Sequence, residues 1–280
     1  MMYNKVSAYC FAILVSLLLV PGSLHSQNTP TAINIEPSST LVWLGTYTTM
    51  RIGENWFYEA QHHYRRSSYN NVPFVGRMAQ FYNRHALTYK FSDKFLATLG
   101  PVLRLNYSPE PGNPEFENLT YEPRIWHQYA FIDKDYFPNG RQYVLQHRLR
   151  FEHRWNRSNL KGAEWRYRNR YRYRFTMKVP ISRKTLQPET WYFDVANVEI
   201  IMQSGKSVVN APLEDLRIYP AIGYIYNTKI AYSAGMMYTL GQRTGAGENY
   251  RQRWILRANV WYTPDFRKWE KKVPTINLHD

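Results

Sequence analysis

The segment Glu164 to Lys178 reads EWRYRNRYRYRFTMK. Trp165, Tyr167, Asn169, Tyr171, Tyr173, Phe175 and Met177 share one parity. Arg166, Arg168, Arg170, Arg172, Arg174, Thr176 and Lys178 share the other. Successive side chains of a strand point to opposite faces, so this is a β-strand with an aromatic face and a guanidinium face. A helix would spread the arginines around its circumference. Neither dry packing nor lipid accepts such a ladder. An unpaired buried charge costs several kcal/mol, and an arginine facing hydrocarbon near the midplane costs ~2–4 kcal/mol. The chain must therefore fold so that one face of its sheet is wet or ionically paired.

The same alternation recurs. From Tyr143 to Trp155, Arg148, Arg150, Glu152 and Arg154 oppose Leu145, His147, Leu149, Phe151 and His153. From Trp56 to Arg66, Phe57, Glu59, Gln61, His63 and Arg65 oppose Trp56, Tyr58, Ala60, His62 and Tyr64. Arg84, Arg104, Arg124, Arg253 and Arg257 take the polar parity of their own segments. Trp191 to Gln203 breaks parity near Asp194 to Asn197, which predicts a bulge leaving Asn197, Glu199 and Gln203 on the polar side. Eleven strands are readable between Leu41 and Tyr262.

Tight turns are expected at Gly53-Glu54-Asn55, Ser92-Asp93-Lys94 and Asn227-Thr228-Lys229. Longer connections are expected at Ser67 to Arg77, Ser108 to Asn118, Gly205 to Pro212 and Gly241 to Gly247. Val179 to Glu189 is long yet falls on the tight-turn side. Alternating short and long connections suit an up-and-down meander with unequal ends.

Two architectures carry such strands: a secreted soluble β protein with the aromatic face inside, and an outer-membrane barrel with that face outside. The apolar parity is loaded with Tyr and Trp near segment ends (Trp56, Tyr64, Tyr107, Trp155, Trp165, Tyr262). A bilayer interface solvates their polar atoms, whereas a dry core must pair each one. Several segments also exceed the roughly 9–11 residues a tilted spanning strand needs. The expected fold is all-β, an antiparallel up-and-down transmembrane β-barrel. The even-number rule for bacterial single-chain barrels gives about 12 strands, or about 10 as the fallback. Thr31 to Glu36 would supply the twelfth or thread the lumen.

Mean hydropathy is −0.56, which excludes a polytopic helical membrane protein. The one long apolar run, Phe11 to Val20, follows Lys5 and precedes Pro21, Gly22 and small residues up to Ser26. This is the layout of a secretory signal peptide, and the run is too short for an anchor. The chain's one cysteine, Cys10, precedes that run. The expected organisation is a signal peptide at 1–26, an N-terminal segment at 27–40, the barrel at 41–262 and a tail at 263–280. The expected site is the outer membrane of a Gram-negative bacterium.

The run Gln146 to Trp155 (QHRLRFEHRW), Arg84 to Tyr89 (RHALTY) and Trp56 to Glu59 resemble motifs of an exported β-barrel family, the outer-membrane domain of unknown function numbered 2490. That resemblance implies a Gram-negative outer-membrane barrel with no assigned activity and no catalytic residues to carry over.

The net charge is +15. The lumen-lining set is Arg166, Arg168, Arg170, Arg172, Arg174, Arg148, Arg150, Arg154, Arg84, Arg104, Arg124, Arg253 and Arg257, with Glu59, Glu152 and Glu199 as counter-ions. Three readings of that interior stay open: ion pairing that plugs the barrel, a basic path that favours small anions, or binding of another kind. Arginines and aromatics fall on opposite faces, so they form no shared surface for nucleic acid. No nucleophile-and-base motif, metal signature or cofactor motif is present, so neither catalytic residue nor cofactor is expected. The partners expected are outer-membrane lipid and small anions. An outer-membrane enzyme acting on lipid and a secreted soluble binding protein are the competing functions.

Overall fold

The computed structural model describes residues 34–69, 71–107, 119–208, 211–242 and 249–267. The expected signal peptide, the connections at 108–118 and 243–248, and the tail beyond 267 lie outside the described residues. The strands are β1 (Asn34–Arg51), β2 (Trp56–Tyr69), β3 (Val72–Ser92), β4 (Phe95–Tyr107), β5 (Leu119–Tyr136), β6 (Gln142–Ser158), β7 (Arg166–Pro180), β8 (Thr190–Ser204), β9 (Leu213–Ile218), β10 (Ala221–Ile225), β11 (Ile230–Gln242) and β12 (Asn249–Tyr262).

These twelve segments form a closed sheet with eleven staves. β9 and β10 both pair with β8 and with β11, so they are one stave interrupted at Tyr219–Pro220. Pro220 has no N–H to give a ladder. The register on β11 nevertheless runs through the interruption, from Gly235↔Ala221 to Tyr238↔Ile218. Neighbouring staves alternate in direction, so an odd number leaves the first and last pointing the same way. β1 and β12 accordingly close the barrel as a parallel pair, with Leu44 against Ala258. The eleven strands readable in the sequence are these staves. Residues 34–40 are the first part of β1, not an extra strand.

The predicted faces are observed. On β6, Val144, Gln146, Arg148, Arg150, Glu152 and Arg154 are buried and their neighbours lean outward. On β2, His63 is buried and His62 is exposed, as opposite parities require. The predicted bulge lies in β8: Met177 pairs with Ala196 and Lys178 with Asp194, which extrudes Val195. Asn197, Glu199 and Gln203 are buried beyond it.

The tight turns fall where expected. The expected Ser67-to-Arg77 loop does not, because β2 and β3 pair through it down to Tyr69↔Val72. Two register shifts absorb its irregular composition, and the Arg66 guanidinium donates to the Val75 carbonyl at 2.8 Å. Asn71 and Phe74 adopt positive φ, 63° and 61°, to make that narrow end. Beyond β12 the chain lies along the end of β1 through Arg51 N–H to Pro264 O and Phe266 N–H to Arg51 O, both 3.0 Å. There the Arg267 guanidinium donates to Asp265 and holds its carboxyl down at about 2.

The closure is directly testable. Leu44→Cys with Ala258→Cys is expected to give an intramolecular disulfide under mild oxidation, since the two residues are paired across the seam. Leu44→Cys with Ile125→Cys, on distant staves, is expected to give none. Failure of the first pair in folded protein contradicts the parallel seam.

Candidate functional site

The barrel interior changes character along its length. At the short-turn end it is apolar: Leu96, Ala130, Ile132, Val144, Tyr192 and Ile225 from five staves meet Leu186. Leu186 belongs to the unusually long 181–189 connection, which folds under the barrel. Arg141 fixes it by donating to the carbonyls of Pro180, Ile181 and Arg183. Gln142 accepts from the Leu186 N–H at 2.9 Å, and Glu189 N–H donates to Ile225 O at 2.6 Å. Gly223 permits this closure, because a Cβ there would stand inside the Tyr192 ring. The length of the connection was legible in the sequence; its role as a stopper was not.

Above the stopper lies an ion-pair network. Glu152, 1% exposed, stands among Arg124 at 2.6 Å, Arg172 at 2.8 Å, Arg170 at 3.3 Å and Arg84 at 3.8 Å. Glu122 pairs with Arg124, with Arg104 at 3.1 Å and with Arg154 at 3.1 Å. Glu199 pairs with Arg172 at 2.8 Å, Arg217 at 3.2 Å and Arg148 at 3.4 Å. Glu214 holds Arg154 at 2.9 Å and also Arg170. Asp215 holds Arg217 at 2.6 Å and Arg253 at 3.8 Å. Nine arginines thus share five carboxylates among the described residues. Shared carboxylates offset the desolvation of charges that pairs alone would offset poorly.

Aromatic faces support several of the guanidinium groups. Arg65 lies 3.6 Å from the Trp43 ring centroid and 4.4 Å from that of Tyr82. Trp126, 0% exposed, is flanked by Arg150 at 4.5 Å and Arg84 at 5.0 Å. Such contacts contribute roughly 0.5–2 kcal/mol each, more where desolvated.

At the long-loop end the lumen widens to a cavity of about 730 Å³. Arg104, Arg154, Arg166, Arg168, Arg170 and Arg253 reach it, with Glu122 and Glu214. Arg168 is tied to the 205–212 connection by the Ser207 hydroxyl and carbonyl at 2.8 and 3.0 Å. Arg166 is exposed at the rim. The other arginines of the expected set line the interior in different layers. Glu152 and Glu199 are central counter-ions. Glu59 sits apart from them, accepting from the Thr88 hydroxyl and, at 3.2 Å, from Gln61.

The expected set omits Arg65, Arg217, Glu122, Glu214 and Asp215. Parity already placed Arg65 and Glu122 inward, so these could have been found from the sequence. Glu214 follows Pro212 at the start of a short stave, where no alternation is readable.

Glu152→Gln is expected to destabilise the folded barrel by about 3–5 kcal/mol, because four guanidinium groups lose a buried charge partner. Urea unfolding in micelles, followed by tryptophan emission, measures it. A wild-type midpoint would show that the network does not hold the interior together.

No curated protein and no solved structure matches the chain. A family model described as Protein of unknown function (DUF2490) matches residues 40–251. That span runs from within β1 to the start of β12 and contains all five shared carboxylates. It bears out the resemblance read from the Trp56, Arg84 and Gln146 motifs: the chain belongs to the DUF2490 family.

Proposed function

We propose that the protein is an outer-membrane β-barrel of a Gram-negative bacterium, non-catalytic, with a basic chamber that receives anions from the long-loop side and a stopper at the other. The observation that carries this reading is the inverted polarity of the wall. Charges lie inside, while Leu87, Leu99, Leu103, Ile125, Ile200, Ile222 and Leu256 are exposed outside. An apolar surface wrapping a whole barrel exceeds the patch sizes that soluble monomers expose. Hydrocarbon is the environment that suits it.

Aromatic belts support the same reading. Around the short-turn end, ring contacts run Trp56–Tyr89–Phe91–Phe95–Phe131, with centroid separations of 4.8 to 5.3 Å. Trp191 and Tyr224 continue the belt on β8 and β10 at 4.8 Å. Towards the long-loop end, Trp155 meets Tyr167 at 5.3 Å and Tyr238 meets Trp254 at 5.2 Å. Aliphatic residues lie between, as in barrels with interfacial girdles. Short turns on one end and longer connections on the other then orient the chamber outward from the cell.

The stopper and the ion pairs favour a closed interior over a through-pore. Ser68→Cys, at the chamber, is expected to react with a membrane-impermeant maleimide on intact cells, and Ile125→Cys, on the outer wall, is expected not to. Equal labelling of both in a soluble periplasmic fraction contradicts the membrane reading. Purified protein in planar bilayers is expected to stay silent at moderate voltage. A steady anion-selective conductance contradicts the closed interior.

A further inference from the structure

Within the ion-pair network lies a small internal cavity of about 50 Å³, adjoining the chamber. Both share Trp43, Arg65, Tyr82, Arg170 and Arg217 as walls. The small cavity has room for a few atoms and none for an organic ligand. Among the described residues Glu199 is the one carboxylate on its wall, and it is already engaged by Arg148, Arg172 and Arg217.

Four other guanidinium groups on its wall have only neutral partners. Arg65 donates to Gln80 at 2.9 Å, and Arg150 donates twice to Gln128, at 2.8 and 2.6 Å. Arg174 donates to Asn197 at 2.9 Å, and Arg257 donates to Asn259 at 3.2 Å and to the Tyr47 hydroxyl at 2.5 Å. Among the described residues none of the four has a carboxylate within ion-pair distance. Each therefore carries the desolvation cost of a buried charge without a neutralising partner.

A second observation points the same way. Trp43 Nε1, Arg65 Nε, Arg84 Nε, Arg172 Nε and Asn197 Nδ2 are buried donors with no acceptor, and all five residues line this cavity. Trp43, Arg65, Arg84 and Asn197 are each at least nine-tenths buried. Unsatisfied buried donors are uncommon and expensive. Water would accept some of these bonds but would add donors of its own and no charge. A sulfate ion offers acceptors alone and a phosphate mostly acceptors, and either one neutralises the arginines.

We propose that this cavity binds one small oxyanion of the phosphate or sulfate type, either free or as the terminal group of a small molecule whose remainder lies in the chamber above. This rests on the anion-receptive reading of the interior and adds a site and a ligand class to it.

The test uses the full mature chain, folded in detergent, with chloride fixing the ionic strength. Inorganic phosphate and sulfate are titrated by calorimetry. One saturable site is expected, with affinity at least tenfold lower in Arg174→Gln and in Arg257→Gln. Without phosphate, both variants are expected to melt at or above the wild-type temperature, since each loses an uncompensated charge; with saturating phosphate the order reverses. Variants that unfold in phosphate-free buffer overturn the proposal, because the guanidinium groups would then be structural. Non-saturable binding that chloride matches at equal ionic strength also overturns it.

Glycerol phosphate distinguishes the two sources. Tighter binding than inorganic phosphate, weakened by Arg168→Gln in the chamber, identifies a terminal phosphate; no gain identifies the free ion. Absence of phosphate binding alongside the expected membrane labelling defeats this proposal alone. Labelling that contradicts the membrane reading leaves the detergent titration interpretable by itself.

Discussion

The interior is organised around carboxylates that must each serve several arginines. Glu152 illustrates the constraint: it lies on β6 and meets guanidinium groups from β3, β5 and β7. A charged strand face becomes tolerable in a barrel because closure brings distant strands within reach. The pairs Arg154–Glu214 and Arg148–Glu199 bridge 60 and 51 residues of sequence. Closure removes the sheet edges and assembles the counter-charge in the same step.

That dependence explains which features were legible in the sequence. Alternation is local, so the strands, their inward faces and the β8 bulge could be read from Glu164 to Lys178 and segments like it. The stave count was readable as well, and only the even-number rule pushed it upward. The parallel β1–β12 seam follows from an odd count and from nothing local. The β9–β10 interruption was hidden because Ile218 and Ile222 keep parity across Tyr219–Pro220. Ion-pair partners depend on which staves face one another across the lumen, so Glu122 was assignable to a face but not to Arg154.

The two ends of the lumen differ for a physical reason. The stopper is built from side chains that need no counter-charge, and Leu186 can fill it because Arg141 satisfies the carbonyls of its strap. The wide end is lined by groups that need solvent or anions. Between them, thirteen arginines face five shared carboxylates: nine held by them, and Arg65, Arg150, Arg174 and Arg257 on neutral partners. The four on neutral partners all line the small cavity, and the proposed preference for anions rests on that surplus.

The account stands on aromatic and aliphatic groups facing hydrocarbon while charge faces inward. Tryptophan makes this measurable, because Trp126 is 0% exposed inside the lumen and Trp254 is 44% exposed on the outer wall. Single-tryptophan variants retaining one or the other, folded into bilayers of lipids brominated in the upper acyl chain, separate the two environments. The account predicts strong quenching of Trp254 and little quenching of Trp126. Strong quenching of Trp126, or none of Trp254 in a folded, bilayer-associated protein, would contradict it.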